Sequence, residues 1–281
     1  MKRLKVWWMS SVIQTKEART YQLDTGEVVV QPYSLIPLVY LIMLVLVAIS
    51  WQATRINLLT LVRRFDNFLD ILRAMNNPNW AYLQRVQQPM LDTIQMSFLG
   101  SILGSVAALP VAFIASSNIN KNKFSLSFIR LLLSAFRTLP VLVYASLLAL
   151  VFGFGTLAGT MAITIFTFAL MTKLLYEIIE TIDMGAYLAV ESTGSTKAKA
   201  FITAIMPQIT PGFLSLSLYA FEINIRFAAI LGWVGAGGIG LLMDDRMSWR
   251  AYNDLFVILV VLFVLVVSIE QLSRYFRKRL G

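Results

Sequence analysis

Residues 183–211 read DMGAYLAVESTGSTKAKAFITAIMPQITP. The stretch is polar, yet long apolar runs stand on both sides of it. A segment that only joined two helices would need a few residues. This one has helix-forming composition, with Gly194 near its middle and Met206-Pro207 near its end. The pattern predicts two short helices, over 186–193 and 195–204, with Gly194 supplying the bend between them. Pro207 is expected to end the second helix and open the next apolar run. Two short helices at an angle make a compact knob presented to water between two buried segments.

The rest of the chain says what those buried segments are. Of 281 residues, 58% are hydrophobic and only 14% charged, with mean hydropathy +0.71. A soluble domain would be about a quarter charged. The apolar residues gather into six runs, at 32–52, 93–116, 126–152, 155–179, 210–232 and 254–276. Each is near the ~20 residues needed to cross a ~30 Å hydrocarbon core. The fold class is therefore an all-α integral membrane protein with six spans, and the membrane lipids are its first partner.

Composition also excludes chemistry. The chain has no Cys and no His, which removes thiolate nucleophiles, imidazole bases and most zinc sites. A metal site would need oxygen ligands alone, and no acidic cluster of that kind occurs. No catalytic or metal-ligating residue is assigned. The letters Gly194-Ser-Thr-Lys197 are not a phosphate loop, because no G-x-x-x-x-G-K-[ST] exists here. The chain binds no cofactor of its own and cannot be its own ATPase.

The net charge of +9 is not a nucleic-acid signal, since the aromatics lie inside apolar runs rather than beside basic patches. It reads instead as loop bias toward anionic headgroups. With six spans both termini share a side. Lys and Arg in 1–31, 117–125, 183–208 and 274–281 number thirteen, against seven in the alternate loops. The termini and the 183–208 loop are thus expected to be cytoplasmic. Residues 1–31, with Lys2, Arg3, Lys5, Trp7 and Trp8, suit a cytoplasmic or interfacial segment containing a short helix, and 277–281 form a tail. No small-x-small cleavage site follows the interrupted apolar run of Val6 to Ile13. Residues 53–92 place Leu58, Leu61, Val62, Phe65, Leu69 and Leu72 opposite Arg63, Arg64, Asp66, Asp70 and Arg73. That is an amphipathic external segment, suited to bracing the membrane surface or meeting an external partner.

Inside the spans, polar residues need a reason. Glu222 and Arg226 are four apart on one helical face, in the favourable order, with Asn224 between them. Charges within a span face the bundle interior or a water-filled path and pair with one another. Gly235, Gly237 and Gly238, with Gly240 after them, permit a sharp bend or a close backbone approach. Arg137 stands three residues ahead of Pro140, which breaks the 126–152 run; half-helix ends inside a membrane are where transporters meet ions and substrates. Arg137 could equally snorkel to the membrane face. Gly100/Gly104 and Gly155/Gly159 are small-xxx-small pairs that allow close helix packing.

Glu222-Ile-Asn-Ile-Arg226 followed by Gly232-Trp-Val-Gly-Ala-Gly-Gly-Ile-Gly240 resembles the permease of phosphonate-type ABC importers, the PhnE family. Thr93-Ile-Gln-Met, Ala108-Leu-Pro110, Arg137-Thr-Leu-Pro140 and Gly153-Phe-Gly155 agree, so the likeness covers about 80–280. The 183–211 stretch resembles the cytoplasmic loop of such permeases at Ala189, Gly194 and Pro207. It departs from the pattern at Leu188, where the family has Glu, and at Ala204 and Met206, where it has Ile and Leu.

The resemblance implies the ABC-importer permease fold, with short cytoplasmic coupling helices and a core over 93–276, in the bacterial inner membrane. It implies a homodimer, two cytoplasmic ATPase subunits carrying ATP and Mg, and an external binding protein delivering phosphonate or a related oxyanion. The ATPase-contacting set would be Ala186, Ala189, Glu191, Ser192, Gly194, Lys197 and Pro207. The pathway or gate set would be Glu222, Asn224, Arg226, Gly235, Gly237, Gly238 and Arg137. An importer permease for another small solute, such as an amino acid, or a self-sufficient secondary transporter, stays open at this point.

Overall fold

The computed structural model of the chain describes residues 20–22, 28–30, 35–55 and 57–280. They form two units, Met1–Phe68 and Leu69–Gly281. The first holds a short antiparallel hairpin, β1 (Thr20–Gln22) with β2 (Val28–Val30), in which Tyr21 pairs with Val29. This hairpin is an addition to the all-helical expectation. Helix α1 (Ile36–Ala53) follows, opened by Pro37 in its first turn, where a missing N–H costs nothing. It is apolar all round and exposed along its whole length, as a lipid-bathed span would be. The interfacial helix expected near the N-terminus lies outside the described residues, save Thr20 and Tyr21 in β1.

The predicted amphipathic segment is two helices rather than one. Helix α2 (Leu58–Arg63) starts at Asn57, whose side chain accepts from the N–H groups of Leu59 and Thr60. After Arg64 the chain resumes as α3 (Phe65–Met75), with Phe65, Phe68 and Leu72 exposed.

The second unit is a helical bundle. After a 3₁₀ turn (Trp80–Tyr82), α4 runs 33 residues, Leu83–Ala115, ten residues ahead of where hydropathy places that span. Residues 83–92 are polar enough to hide the helix from a hydropathy window. The third run is broken as Pro140 requires. Helix α5 (Lys123–Thr138) and α6 (Val141–Phe152) meet at 85°. Then come α7 (Thr156–Thr181), the loop helices α8 (Gly185–Ser192) and α9 (Lys197–Ala200), and α10 (Met206–Leu231). A short α11 (Gly238–Ser248) turns back before α12 (Tyr252–Leu280). Counting the bent α5–α6 pair as one, the described residues offer six spans.

Helices α4 and α7 form the bundle's spine. Gly100 and Gly104 bring their backbones together, so the small-xxx-small pair serves packing within the chain. A Cβ at Gly104 would lie 2.7 Å from the Thr164 carbonyl oxygen. At the far end, Asn79 Nδ2 donates to Asp254 Oδ1 at 2.8 Å, and Arg246 lies 3.6 Å from Asp254 and above the Tyr82 ring. These contacts clamp α11 and α12 onto the start of α4.

Substituting Gly104→Val should lower the thermal midpoint of the purified chain by several degrees. Overpacking of this kind costs roughly 1–3 kcal/mol. Gly212→Ala, where an added Cβ meets only Ile178 at an ordinary 3.6 Å, should leave the midpoint unchanged or raise it. Equal effects from the two, measured by thermal unfolding in one detergent, would contradict this packing.

Candidate functional site

The 183–211 stretch is built as two short helices about a glycine, with one difference from expectation. Asp183 Oδ1 accepts from the Gly185 N–H at 2.9 Å and opens α8. Gly194 adopts φ +87°, the left-handed conformation the bend needs. Thr196 Oγ1 accepts from the Lys199 N–H to start α9. The second helix does not stop at Pro207. It passes through a π-helical turn, Phe201–Ile205, directly into α10. Pro207 lies in the first turn of α10, where its absent N–H is tolerated, so it marks a change of helical winding rather than an end.

This loop has two faces. Tyr187, Ala200, Phe201, Ala204 and Ile205 are buried in the core beneath it. Burial, with the Glu191 carboxylate next, pushes the Tyr187 phenol above its ordinary range. The candidate residues Ala186, Ala189, Ser192, Gly194, Lys197 and Pro207 are exposed, and Glu191 is half-buried. Together they form the outer face.

The base of the loop is fixed by residues that sequence reasoning did not single out. Glu180, near the end of α7, is ion-paired to Arg130 of α5 and accepts from the Ser117 N–H at 2.7 Å. Arg130 also donates to the Ala115 carbonyl oxygen at 2.8 and 3.0 Å, and stacks over the Tyr176 ring. Asn118 Nδ2 donates to the Ile179 carbonyl at 3.0 Å. The signal was available, since a guanidinium within an apolar run must find a partner.

The predicted pathway residues fall into four places rather than one. Glu222 and Arg226 pair at 2.8 Å, as spacing implied. Glu222 also receives Arg277 of α12 at 2.9 Å, and Arg226 lies 3.5 Å from Glu270, which in turn pairs with Arg274. Arg277 and Glu270 were invisible as partners of α10 because helix pairing decides those contacts, whereas Glu270–Arg274 is an i,i+4 pair along α12. Asn224 points elsewhere. It is 1% exposed and donates to Ser101 Oγ at 2.8 Å and Thr167 Oγ1 at 2.7 Å, tying α10 to α4 and α7. Arg137 ends α5 beside the break, with its Nε buried and unpaired.

The glycine block is the fourth place. Gly235, Gly237 and Gly238 have φ of +78°, +78° and +71°. Gly155 N–H donates to the Gly235 carbonyl at 2.8 Å, joining this turn to the start of α7. The Ile239 N–H donates to Thr93 Oγ1 at 2.8 Å, joining it to α4. A Cβ on Gly238 would fall 2.6 Å from that Thr93 hydroxyl. An open cavity of about 720 Å³ lies against the turn, walled by Ser146, Leu150, Phe154, Trp233, Leu241 and Asp244. No group of His, Cys, Asp and Glu that could hold a metal occurs among the described residues.

Comparison with known proteins fits this geometry. Residues 100–281 match the family described as "Binding-protein-dependent transport system inner membrane component". The chain is 28% identical over 228 residues to the phosphite transport system permease protein PtxC of Stutzerimonas stutzeri, across 81% of this chain and 83% of that one. It is 30% identical over 213 residues to the phosphate-import permease protein PhnE of Mycolicibacterium smegmatis, across 76% of this chain and 40% of that longer protein. An inward-facing structure of the MetNI methionine ABC transporter covers 72% of this chain and 99% of its own, with TM-score 0.63 at 18% identity. That last likeness concerns the fold alone.

Glu222 holds two guanidinium groups while only 7% exposed. Glu222→Gln should therefore destabilise the chain by about 3–5 kcal/mol, the cost of removing one partner from a buried pair. Glu270→Gln, at a more open position, should cost under about 1 kcal/mol. Thermal unfolding of both variants checks the order, and a reversed order would contradict it.

Proposed function

The chain belongs to the family of binding-protein-dependent transport system inner membrane components, and from that premise we propose that it is the permease of an importer for phosphonate or a related phosphorus oxyanion. The observation that carries the substrate class is the run of curated relatives over most of this chain, which are named for phosphite and phosphate transport. The energy source would be ATP, hydrolysed with Mg on partner subunits. The external binding protein would choose the ligand, and two copies of the chain would enclose the path.

The outer face of the loop is the proposed seat of the ATPase subunit. Its support is the division of labour there: Tyr187 and Phe201 are held in the core while Ala186, Ser192 and Lys197 stand free. The charge bias supports placing this loop and both termini in the cytoplasm. Glu222, Arg226 and the glycine turn are the proposed gate elements, since they join α10 to α12, α7 and α4. Asn224 is proposed to hold that gate in register, and Arg137 to border the path at the α5–α6 break.

Nothing stands within 4 Å of a Cβ placed on Gly194. Gly194→Val therefore adds strain without a clash, about 1–3 kcal/mol for a β-branched residue at positive φ. In vesicles holding the permease, its ATPase and its binding protein, uptake of methylphosphonate or phosphite should fall at least about tenfold. Membrane insertion should be normal, and substrate should no longer stimulate ATP hydrolysis. Wild-type stimulation in this variant would remove the docking role, and uptake of methionine in place of the oxyanions would remove the substrate class.

A further inference from the structure

A groove of about 570 Å³ runs between α4, α10 and the end of α12, apart from the regions above. Its walls are carbon, from Phe98, Ile102 and Val106 on α4, Leu214 and Phe221 on α10, and Phe276 on α12. The rims stand open, with Phe98 54% and Phe276 46% exposed. Of the lining hydroxyls, those of Ser101 and Ser217 donate to carbonyls of their own helices, while the buried Ser105 Oγ has no hydrogen-bond partner among the described residues. One charged residue reaches the groove, Arg279, one position before the end of α12.

Arg279 differs from the two arginines before it. Arg274 pairs with Glu270 and Arg277 with Glu222. Arg279 stacks on the Tyr275 ring at 4.6 Å and has no carboxylate partner among the described residues. The groove thus pairs a long apolar trough with an uncompensated guanidinium.

We propose that this groove binds an acidic phospholipid, one acyl chain lying along Phe98–Val106 and the headgroup phosphate meeting Arg279. From Phe98 to Val106 the helix rises about 12 Å, close to the ~15 Å depth of one leaflet. The guanidinium offers a planar fork of donors that suits phosphate. Lys278 beside it adds to the attraction of an anionic leaflet. A free phosphorus oxyanion would account for Arg279 but not for the carbon trough. A second copy of the chain would have to bring a carboxylate to Arg279, whereas a headgroup carries its own charge. The site rests on the bilayer and on Arg279, independent of what is transported.

The test uses the full chain in nanodiscs of phosphatidylcholine doped with phosphatidylglycerol, followed by native mass spectrometry of lipids retained on release. Phosphatidylglycerol should be retained about fivefold over phosphatidylcholine, the scale set by one basic side chain at an acidic surface. Arg279→Gln should erase that preference, and Ile102→Trp, which fills the trough, should lose both lipids. Arg279 is exposed, so its variant should keep the wild-type thermal midpoint and serve if Ile102→Trp misfolds. Equal retention of the two lipids, or a preference that survives Arg279→Gln, would overturn the proposal. Displacement of the lipid by inorganic phosphate would make Arg279 an oxyanion site instead. The chain has no cysteine, so a disulfide between copies of Ile102→Cys would place a second copy in the groove and also overturn it.

Discussion

The hydrogen bond from the Gly155 N–H to the Gly235 carbonyl oxygen, 2.8 Å long, is the contact on which the bundle's irregular half depends. A bilayer offers no water to backbone groups freed by a break, so each must be met by protein. Besides the bend at Pro140, this chain breaks at two points near one another, after α6 and after α10. It resolves both breaks by setting them face to face. The Ile239 N–H finds Thr93 Oγ1, and the Ala236 N–H finds the Leu231 carbonyl. Close approach then dictates composition. A Cβ at Gly159 would lie 2.8 Å from the Ala236 oxygen, and one at Gly232 would fall on the Gly240–Leu241 backbone. The glycines are there because backbone must touch backbone.

The buried polar residues follow from the same scarcity of water. Along α4, Thr93, Ser97 and Ser101 recur every four residues, and each hydroxyl donates to the carbonyl one turn back. That leaves their oxygens as acceptors toward neighbouring elements. Ile239 uses Thr93, and Asn224 uses Ser101 together with Thr167. One stripe of α4 therefore positions both the glycine turn and α10. Glu222, on the same helix as Asn224, faces α12 instead and joins Arg277. A short stretch of α10 thus locks three elements through two chemically separate networks.

Much of this was legible in the sequence, and the parts that were not share a cause. Span number, the break at Pro140, the bend at Gly194 and the Glu222–Arg226 pair are all local, set by hydropathy, backbone freedom or i,i+4 spacing. The loop's exposed face was legible for the same reason, because glycine and small polar residues cluster there. What sequence hid is what tertiary pairing decides. Arg130 and Glu180 are 50 residues apart, and Arg277 and Glu222 are 55 apart. Asn224 looked like a companion of Glu222 and Arg226, but a helix turns about 100° per residue. Two positions from Glu222 it lies on nearly the opposite side, toward α4 and α7. The start of α4 was hidden because residues 83–92 are helical without being apolar, and hydropathy reads only the second property.

The continuity through Phe201–Ile205 bears on how the loop and the membrane bundle act on one another. A loop ended by Pro207 would be joined to α10 by a flexible link, and its displacement would dissipate there. Here the helical backbone continues from Lys197 to Leu231, its winding changing at the π turn and its ladder lacking the N–H donors of Pro207 and Pro211. A π turn holds one residue more than the α-helix over the same rise, so it is, with Pro211, a weak point in the rod. Ala200 just before it, and Phe201 and Ile205 within it, are anchored in the core. Above it stand Glu222, Asn224 and the turn at Gly232. On the proposed docking role, a push on the exposed side of α8 or α9 would reach α10 as rotation or translation of a rod that yields most readily at the π turn and at Pro211. The Arg130–Glu180 tie at the end of α7 resists that motion on the other side of the loop. The proposed lever action of the loop rests on one end being pinned and the other being continuous with a span.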